Sequence, residues 1–331
     1  MKTIAAVLYE IGKIEVCELE VPPLLPGQAL IGVSNSAICG TILGQFLGHR
    51  GPDKWLPHLI GHEGTGIVLE VGPGVTRVRQ SDRVSMSWIA ASGADIAGST
   101  YGNVNSGPVA TLATHAVVSE NRLTKLPIYL SYESGCLLGC AGPTGLGSVL
   151  HVAKLQAGER IGIWGLGGVG QMAVIASDYA RAATIMAIDP NEDRHKEAKA
   201  FGATEAWTSE AAYDVARDLD VAIVATGSLT AIDQALASVR PRGGRVVMVG
   251  NAKVGAKLHV DPTWFNSGRS VLGTWGGDSN PDRDTRIYSK IIASSNAWRM
   301  LSAPYRLEDV SVAFADFAAG RICRPLIAIN S

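Results

Sequence analysis

Residues 160–170 read RIGIWGLGGVG, in which the glycines fit the pattern G-x-G-x-x-G. An apolar strand precedes the glycines and a helix-forming run follows them. Asp189 comes 19 residues after the last glycine, at the end of the next apolar stretch, TIMAID. In this context the first glycine permits a tight turn, the second lets the backbone approach a pyrophosphate, and the third allows close helix–strand packing. The stretch therefore predicts a dinucleotide site at a helix N-terminus, where unpaired N–H groups favour phosphate.

The predicted contacts to the dinucleotide centre on this turn. The backbone positions expected to approach it are Gly165, Gly167, Gly168, Val169, Gly170 and Gly250. The Asp189 carboxylate can bind the ribose hydroxyls and would repel a 2′-phosphate, so it favours NAD over NADP. An ordinary tight turn followed by a helix-capping aspartate is the alternative interpretation.

Outward from this turn, residues 142–274 alternate short apolar strands with helical stretches. Uninterrupted apolar strands between helices are typical of a parallel sheet covered on both faces. Residues 1–140 instead contain short β-rich runs broken by Gly and Pro, which predict a small antiparallel barrel or sandwich. Residues 90–109 are rich in Ser, Gly and Asn and are expected to form a long surface loop. The last fifty residues end in a strand-like PLIAI, and we expect them to return to the first domain.

Composition excludes several classes of protein. The chain has 331 residues, enough for about two domains. Its net charge is −1 and it has no Lys/Arg block, so no nucleic-acid partner is expected. We expect no membrane span, because no apolar run reaches about 18 residues, and no signal peptide, because the N-terminal apolar stretch lacks a cleavage site. Five cysteines form a poor disulfide framework, so reduced thiols in the cytoplasm are expected.

Three dispersed residues have the chemistry of a metal site. Cys39, His62 and Cys140 would supply two sulfur ligands and one nitrogen ligand, the set of a catalytic zinc with an open fourth position. Their spacing does not establish that they converge. A buried cysteine more often behaves as a small hydrophobic residue, and a lone histidine is more often a satisfied polar residue.

Five motifs in order along the chain resemble the zinc-containing alcohol dehydrogenases of the medium-chain dehydrogenase/reductase (MDR) superfamily. They are Cys39-Gly-Thr41, GHEGTG at 61–66, SDRV at 81–84, GCAGPTGLGS at 139–148 and GLGGVG at 165–170. The resemblance implies an α/β protein with a GroES-like, β-rich catalytic domain and an inserted Rossmann domain with a doubly wound parallel sheet. The expected boundaries are 1–141 and 275–331 for the catalytic domain, and 142–274 for the NAD-binding domain.

The resemblance also implies roles for individual residues. Cys39, His62 and Cys140 match the zinc ligands, and Glu63 matches an acid beside the metal that can exchange onto it. Thr41 matches the residue that hydrogen-bonds the substrate oxygen. The remaining matches are Asp189 and Arg194 at the adenosine ribose, Arg324 at the pyrophosphate, and Trp88 in the substrate pocket. The alternative for Trp88 is an ordinary aromatic residue of the core.

The chain departs from the family pattern at several positions. Residues 85–110 contain no cysteine, so we expect one catalytic zinc and no structural zinc. Ile42 stands where the family has the aspartate that orients the metal histidine. Gly44 stands where the family has the histidine that relays the proton, so His49 or water would relay the proton here. Gly40, which follows the first cysteine, is typical of polyol-dehydrogenase-like branches.

The expected reaction is reversible oxidation of an alcohol to an aldehyde or ketone. Zinc would act as a Lewis acid on the substrate oxygen, and hydride would pass to NAD. The segment GQFLGHRGPDKW (44–55) favours a small hydroxylated, polyol- or sugar-like substrate, and the resemblance implies a homodimer or homotetramer. The alternatives are a zinc-free quinone or enoyl reductase of the same superfamily, and a non-catalytic nucleotide-binding or redox-sensing protein.

Overall fold

A computed structural model describes residues 1–330, which divide into two compact units. The first unit comprises residues 1–140, 280–293 and the C-terminal stretch from Leu301. The second unit comprises residues 141–279 and 294–300. The C-terminal residues thus belong to the same unit as the N-terminal ones, with the second unit inserted in the chain between them.

The strands and helices follow in chain order. The strands are β1 (Lys2–Glu10), β2 (Lys13–Glu20), β3 (Gln28–Ala37), β4 (His58–Leu59), β5 (Glu63–Val71), β6 (Arg83–Ser87), β7 (Thr100–Tyr101), β8 (Val104–Asn105), β9 (His115–Ser119), β10 (Leu123–Lys125), β11 (Arg160–Trp164), β12 (Thr184–Ile188), β13 (Glu205–Trp207), β14 (Val221–Val224), β15 (Arg245–Met248), β16 (Ser270–Gly273), β17 (Leu301–Arg306) and β18 (Arg324–Ala328). The α-helices are α1 (Gly40–Phe46), α2 (Tyr132–Cys136), α3 (Ala141–Gly147), α4 (Gly168–Tyr179), α5 (Asp193–Ala200), α6 (Ser209–Val215), α7 (Leu229–Ser238), α8 (Pro262–Asn266), α9 (Pro281–Ser294) and α10 (Val310–Ala318).

The first unit is built from two sheets. One has the order β2-β1-β4-β8-β7, and the other has the order β10-β6-β5-β3-β18-β17, with β9 also paired to β3. Strand β3 is almost wholly buried because β5, β9 and β18 all pair with it. β18 is the strand-like C-terminal segment expected from the sequence, and it pairs antiparallel with β3. The β-rich fold predicted for residues 1–140 is confirmed, whereas the predicted domain boundaries stay a prediction.

The second unit contains a six-stranded sheet in the order β13-β12-β11-β14-β15-β16, in which every pair is parallel. This is the strand order of the doubly wound nucleotide-binding fold, whose ligands bind beyond the carboxyl ends of the strands where the order reverses. The reversal lies between β11 and β14, directly beside the glycine turn that follows β11. The fold class predicted from the sequence is confirmed.

Local details differ from the sequence expectations. Residues 90–109 are not all loop, because β7 and β8 form a short antiparallel hairpin within them. Strand β13 was not predicted, since three half-buried residues are too few for a periodic pattern. Helix α4 begins at Gly168, within the glycine motif and one residue before Val169.

Within the described residues, no single helix is long and apolar enough to cross a membrane, although the bent pair Tyr132–Gly139 and Ala141–Val152 together passes that test of length and composition.

Candidate active site

Cys39 lies where the buried strand β3 gives way to helix α1. It occupies the position before the first helical residue and has extended backbone angles, φ −98° and ψ 164°. Its carbonyl accepts the backbone N–H of Leu43, which fixes the first turn of the helix. Thr41 is the second residue of α1, so its hydroxyl lies on the turn that carries the cysteine.

His62 and Glu63 come from the start of strand β5. Nε2 of His62 lies 3.1 Å from Sγ of Cys39. Among residues 1–330 this thiol is the only hydrogen-bond partner of the His62 ring. Glu63 is fully buried and is the first residue of β5 that pairs with β6.

Cys140 reaches the same place because the residue before it has no side chain. A Cβ at Gly139 would lie 2.4 Å from the carbonyl oxygen of Met86 and 2.7 Å from Cα of Glu63. Such distances are essentially never found between non-bonded atoms, so only glycine allows this segment to press against β5 and β6. The sequence Gly-Cys at 139–140 therefore places the second thiol beside His62.

Sγ of Cys39, a ring nitrogen of His62 and Sγ of Cys140 all lie within 4.8 Å of one another. Two thiols and one imidazole fit a zinc ion that keeps a fourth position open for another ligand, the arrangement of a catalytic site. The sequence-predicted ligands thus converge, which favours a zinc enzyme over the zinc-free reductase alternative. Glu63 lies next to this group but is not one of its members.

The electrostatics of the cluster suit a cation. A hydrogen bond with Cys140 lowers the pKa of Cys39 well below its ordinary value, and the same bond, together with burial, raises the pKa of Cys140. Burial lowers the pKa of His62, but the neighbouring Cys39 outweighs burial and leaves this pKa raised. One thiolate therefore forms readily beside the imidazole, and a cation would favour ionisation of the second thiol.

Apolar side chains surround the cluster within the first unit. Ile42, from α1, is buried in the same core as Cys39 and Cys140. The ring of Trp88, which follows β6, lies with its centroid 6.3 Å from that of His62. The partly buried side chains packed on this core include Leu43, Phe46, Leu56 and Trp88.

Glu63 forms an ion pair with Arg324, the first residue of β18. Both side chains are buried, with 0% and 2% exposure, and Arg324 Nη2 donates to Glu63 Oε1. Burial is the main cause that raises the pKa of Glu63, and Arg324 opposes it without cancelling it. The predicted pyrophosphate contact of Arg324 stays a prediction, whereas its contact with the acid beside the metal cluster was not foreseen.

A second buried polar group was also missed by sequence reasoning. His58 Nε2 lies 3.0 Å from Asp53 Oδ2, and Gln45 Nε2 donates to the same oxygen at 2.7 Å. Burial raises the pKa of Asp53, but hydrogen bonds from Gln45, the Trp55 N–H and His58 outweigh it, so this pKa ends below its ordinary value. These contacts tie helix α1 to the segment before β4. The spacing of the three residues matches no motif that would have indicated them.

In the second unit, the glycine turn has the geometry that the motif predicts. A Cβ at Gly170 would lie 1.8 Å from the carbonyl oxygen of Gly165, so the third glycine is required for the close return of the chain. Gly165 has φ +89°, a conformation that favours glycine. At Gly167, by contrast, a Cβ would meet no atom within 4 Å, so the backbone borders open space at the N-terminus of α4. Such a helix start is suited to phosphate groups.

Asp189 follows β12 directly and is tied to the glycine turn. Its Oδ2 accepts the Leu166 N–H at 2.7 Å, and its Oδ1 accepts the Asn191 N–H at 2.9 Å. Arg194 Nη1 lies 3.5 Å from Oδ2. The structure thus brings together the acid, the arginine and the turn that the sequence assigned to one nucleotide site. Gly250 follows β15 at the same carboxyl end of the sheet.

Comparisons with known proteins agree with this arrangement. Residues 25–128 match the family model of the alcohol dehydrogenase GroES-like domain, and residues 168–293 match that of the zinc-binding dehydrogenases. The S-(hydroxymethyl)glutathione dehydrogenase of Photobacterium damsela subsp. piscicida is 31% identical, over 84% of this chain and 86% of that protein. A GroES-like unit, a doubly wound parallel sheet and a buried Cys₂His cluster together define a zinc-binding dehydrogenase.

Solved structures are similar over the whole chain. Benzyl alcohol dehydrogenase from Acinetobacter calcoaceticus superposes with a TM-score of 0.89 and 25% identity, covering 99% of both chains. For 2R,3R-butanediol dehydrogenase from Bacillus subtilis the TM-score is 0.79 at 24% identity, covering 99% of this chain and 100% of that one, which shows the shared fold. The chain belongs to the zinc-dependent alcohol dehydrogenase family of the MDR superfamily. Its activity is accordingly zinc-dependent oxidoreduction of an alcohol.

Proposed function

We propose that this protein oxidises an alcohol whose carbon skeleton is apolar next to the reacting carbon, with NAD as the hydride acceptor and one catalytic zinc. The convergence of Cys39, His62 and Cys140 within 4.8 Å carries the proposal. The apolar side chains packed around these residues support an apolar substituent on the substrate. The relatives named for S-(hydroxymethyl)glutathione and benzyl alcohol are alcohol dehydrogenases with different substrates, so they leave the choice to the pocket of this chain.

The residues of the first unit would divide the work as follows. Zinc, held by Cys39, His62 and Cys140, would supply the Lewis acidity that lowers the pKa of an alcohol hydroxyl. Two thiolates and a neutral imidazole would balance its double charge. Thr41, on the turn after Cys39, would accept the hydroxyl proton of the substrate and pass it towards solvent. Trp88, beside His62, would form one wall against which the substrate packs.

The second unit would hold the dinucleotide. The open backbone at Gly167 and the N–H groups of Gly168, Val169 and Gly170 at the start of α4 would face the pyrophosphate. Asp189 would accept hydrogen bonds from the adenosine ribose, with Arg194 beside it. Because the Asp189 carboxylate is already fixed by the Leu166 N–H, little ordering is needed when the ribose binds.

A panel of alcohols with NAD and NADP tests the proposal. We expect zinc-dependent NAD reduction, with a higher kcat/KM for benzyl alcohol than for a hexitol, 2,3-butanediol or S-(hydroxymethyl)glutathione. A preference for the polyols would instead support the hydroxylated substrate that the sequence favours. Absence of turnover with every alcohol and every matching carbonyl compound would overturn the proposal and favour the nucleotide-binding or redox-sensing alternative.

The preference for NAD depends on Asp189. In Asp189→Gly we expect kcat/KM for NAD to fall roughly 10–100-fold, because hydrogen bonds to a charged group contribute about 1.5–3 kcal/mol. Use of NADP should improve, because the repulsion of the 2′-phosphate is removed. Steady-state kinetics with both dinucleotides measures the change. Asp193→Gly, which removes an exposed acid from the start of α5, is the control and should leave the ratio unchanged. A wild-type protein that is already faster with NADP would contradict the assignment.

Zinc affinity depends on the residue at position 42. Ile42 lies in α1, three residues after Cys39, at the position where the family's aspartate would orient His62. Loss of such a support typically costs 10–100-fold in metal affinity, so Ile42→Asp should bind zinc about 10–100-fold more tightly than the wild type. Chelator competition on the folded protein measures this affinity. Ile42→Val is the apolar control, and an Asp variant that binds zinc no better than it would refute the prediction.

The proposal also covers the cellular location and the oligomeric state of the protein. The five cysteines are all free, which is typical of proteins in reducing compartments and supports a cytoplasmic location. Membership of the family supports a homodimer or homotetramer. Light scattering on the purified protein measures the oligomeric state, and metal analysis should give one zinc per chain.

A further inference from the structure

The segment between β6 and β7 is held by individual hydrogen bonds rather than by regular structure. We call residues 88–99 the Trp88 loop. It begins beside the metal cluster and then runs over the surface of the first unit, in the region where the sequence lacks the cysteines of a structural zinc lobe. The Ala91 N–H donates to the carbonyl of Asn121, and the Ile96 N–H donates to the hydroxyl of Ser119. Residues 119–122 are therefore one group of partners that fix the loop. The others are Asp282, whose carboxylate accepts the Ser92 N–H at 2.9 Å, and Gln28, whose Nε2 donates to the Ala97 carbonyl at 3.2 Å.

Arg122 makes the most extensive contacts with this loop. Its Nε donates to Asp95 Oδ1 at 2.8 Å, and its Nη2 donates to Asp95 Oδ2, so the guanidinium and the carboxylate pair through two bonds. Its Nη1 donates to the carbonyl oxygen of Trp88. The Arg122 side chain is only 13% exposed. A planar guanidinium directs its donors in fixed directions, so these contacts set the distance between the two ends of the loop segment 88–95.

Arg122 is itself attached to the framework of the first unit. It ends the short 3₁₀ helix Glu120–Arg122, which leads directly into β10. The Glu120 carboxylate accepts the backbone N–H groups of Thr76 and Arg77, each at 2.9 Å. The guanidinium therefore extends from a fixed base, and the loop is the partner that it positions.

The start of the loop is where this position matters. The Trp88 N–H donates to the Gly139 carbonyl at 3.3 Å, one residue before the ligand Cys140. With Arg122 on its carbonyl, the backbone of Trp88 is held on both sides of its Cα. The ring that this backbone carries lies beside His62 and packs on the core that contains Cys39 and Cys140.

We propose that Arg122 is a positioning residue that determines substrate specificity, by fixing the Trp88 ring beside the metal cluster through the Trp88 carbonyl and Asp95. Arg122 does not touch the substrate; it acts through Trp88. The inference rests on the proposed function in one respect, that Trp88 lines the substrate site. It deepens that function by assigning part of the specificity to a residue outside the site.

The first test compares kinetic parameters for large and small alcohols in Arg122→Met. We expect KM for benzyl alcohol to rise about 10–100-fold, because a displacement of about 1 Å can cost roughly 100-fold. The kcat, the KM for NAD, the zinc content and the KM for ethanol should stay within about threefold of the wild type. Asp95→Asn weakens only the pair with Arg122 and leaves the bond from Arg122 to the Trp88 carbonyl, so it should give a smaller rise in KM for benzyl alcohol. In the Trp88→Ala background, Arg122→Met should add little, since both changes act through the same ring.

Arg83→Met is the matched control. The Arg83 guanidinium also donates to a loop carbonyl, that of Leu130 at 2.8 Å, and it stacks on Tyr132, but it has no hydrogen bond to the described residues of the Trp88 loop. This variant should lose stability without a change in KM for benzyl alcohol. An equal rise in KM in both variants would show general loosening of the unit and would overturn the proposal.

Hydrogen–deuterium exchange gives a second readout that does not depend on turnover. In Arg122→Met, amides of residues 88–97 should exchange faster while those of β3 keep the wild-type rate. Unchanged exchange in residues 88–97, or faster exchange with an unchanged KM for benzyl alcohol, would overturn the proposal. A wild-type protein without alcohol turnover would sink the proposed function alone, and exchange in these variants would still decide whether Arg122 fixes the loop.

Discussion

Cys140→Ser is expected to lose its bound zinc and to lower kcat/KM for alcohol oxidation by more than about 100-fold, since disturbing even an outer partner of a metal ligand costs 10–100-fold. The substitution removes one of two sulfur ligands from a three-residue site and replaces it with a hydroxyl, a poor ligand for zinc at neutral pH. Metal analysis of the purified variant gives the zinc content. Absorption of the cobalt-substituted protein gives the number of bound thiolates, which should fall from two to one.

Cys136→Ser provides a closely matched control. Cys136 is also a fully buried thiol, four residues earlier, but it bonds to the carbonyl of Tyr132 and the hydroxyl of Thr65 instead of joining the metal cluster. Burial raises the pKa of its thiol, which keeps it protonated at neutral pH. This variant should retain zinc and turnover. If the two serine variants kept the same zinc content and activity, Cys140 would not be a ligand.

The fold of the second unit and its glycine turn could be predicted from local sequence. Residues 160–164 form β11 with the bounds that the sequence predicts, and the glycine motif and Asp189 follow within one strand–helix–strand unit. Strand and helix periods, turn glycines and the end of a strand are local properties, so a single stretch of about thirty residues carries them.

The metal cluster could not be predicted from such local signals. Cys39, His62 and Cys140 come from the end of β3, the start of β5 and the residue after a 3₁₀ turn, so only the folded sheet brings them together. The family resemblance identified them because it carries information about the whole fold. Neither the local sequence pattern nor the family resemblance indicated contacts such as that of Asp53 with His58 or that of Arg122 with Asp95.

Arg324→Met is expected to reduce the free energy of unfolding by about 3–5 kcal/mol, because it leaves the buried Glu63 carboxylate without its cation. The two residues are 261 positions apart and join β18 to β5, so their pair connects the C-terminal strand to the residue beside the metal ligand His62. Chemical denaturation monitored by circular dichroism measures the change.

The control for that substitution is Arg306→Met, which breaks the exposed pair of Arg306 with Glu308 and should cost no more than about 1 kcal/mol. The double variant Glu63→Gln, Arg324→Met should be more stable than Arg324→Met alone, since the unpaired charge is then absent. Equal losses in Arg324→Met and Arg306→Met would show that the buried pair contributes no more than a surface pair. Because Glu63 adjoins His62, Arg324→Met should also weaken zinc retention. If this substitution acted only on the dinucleotide, it would raise KM for NAD and leave zinc in place.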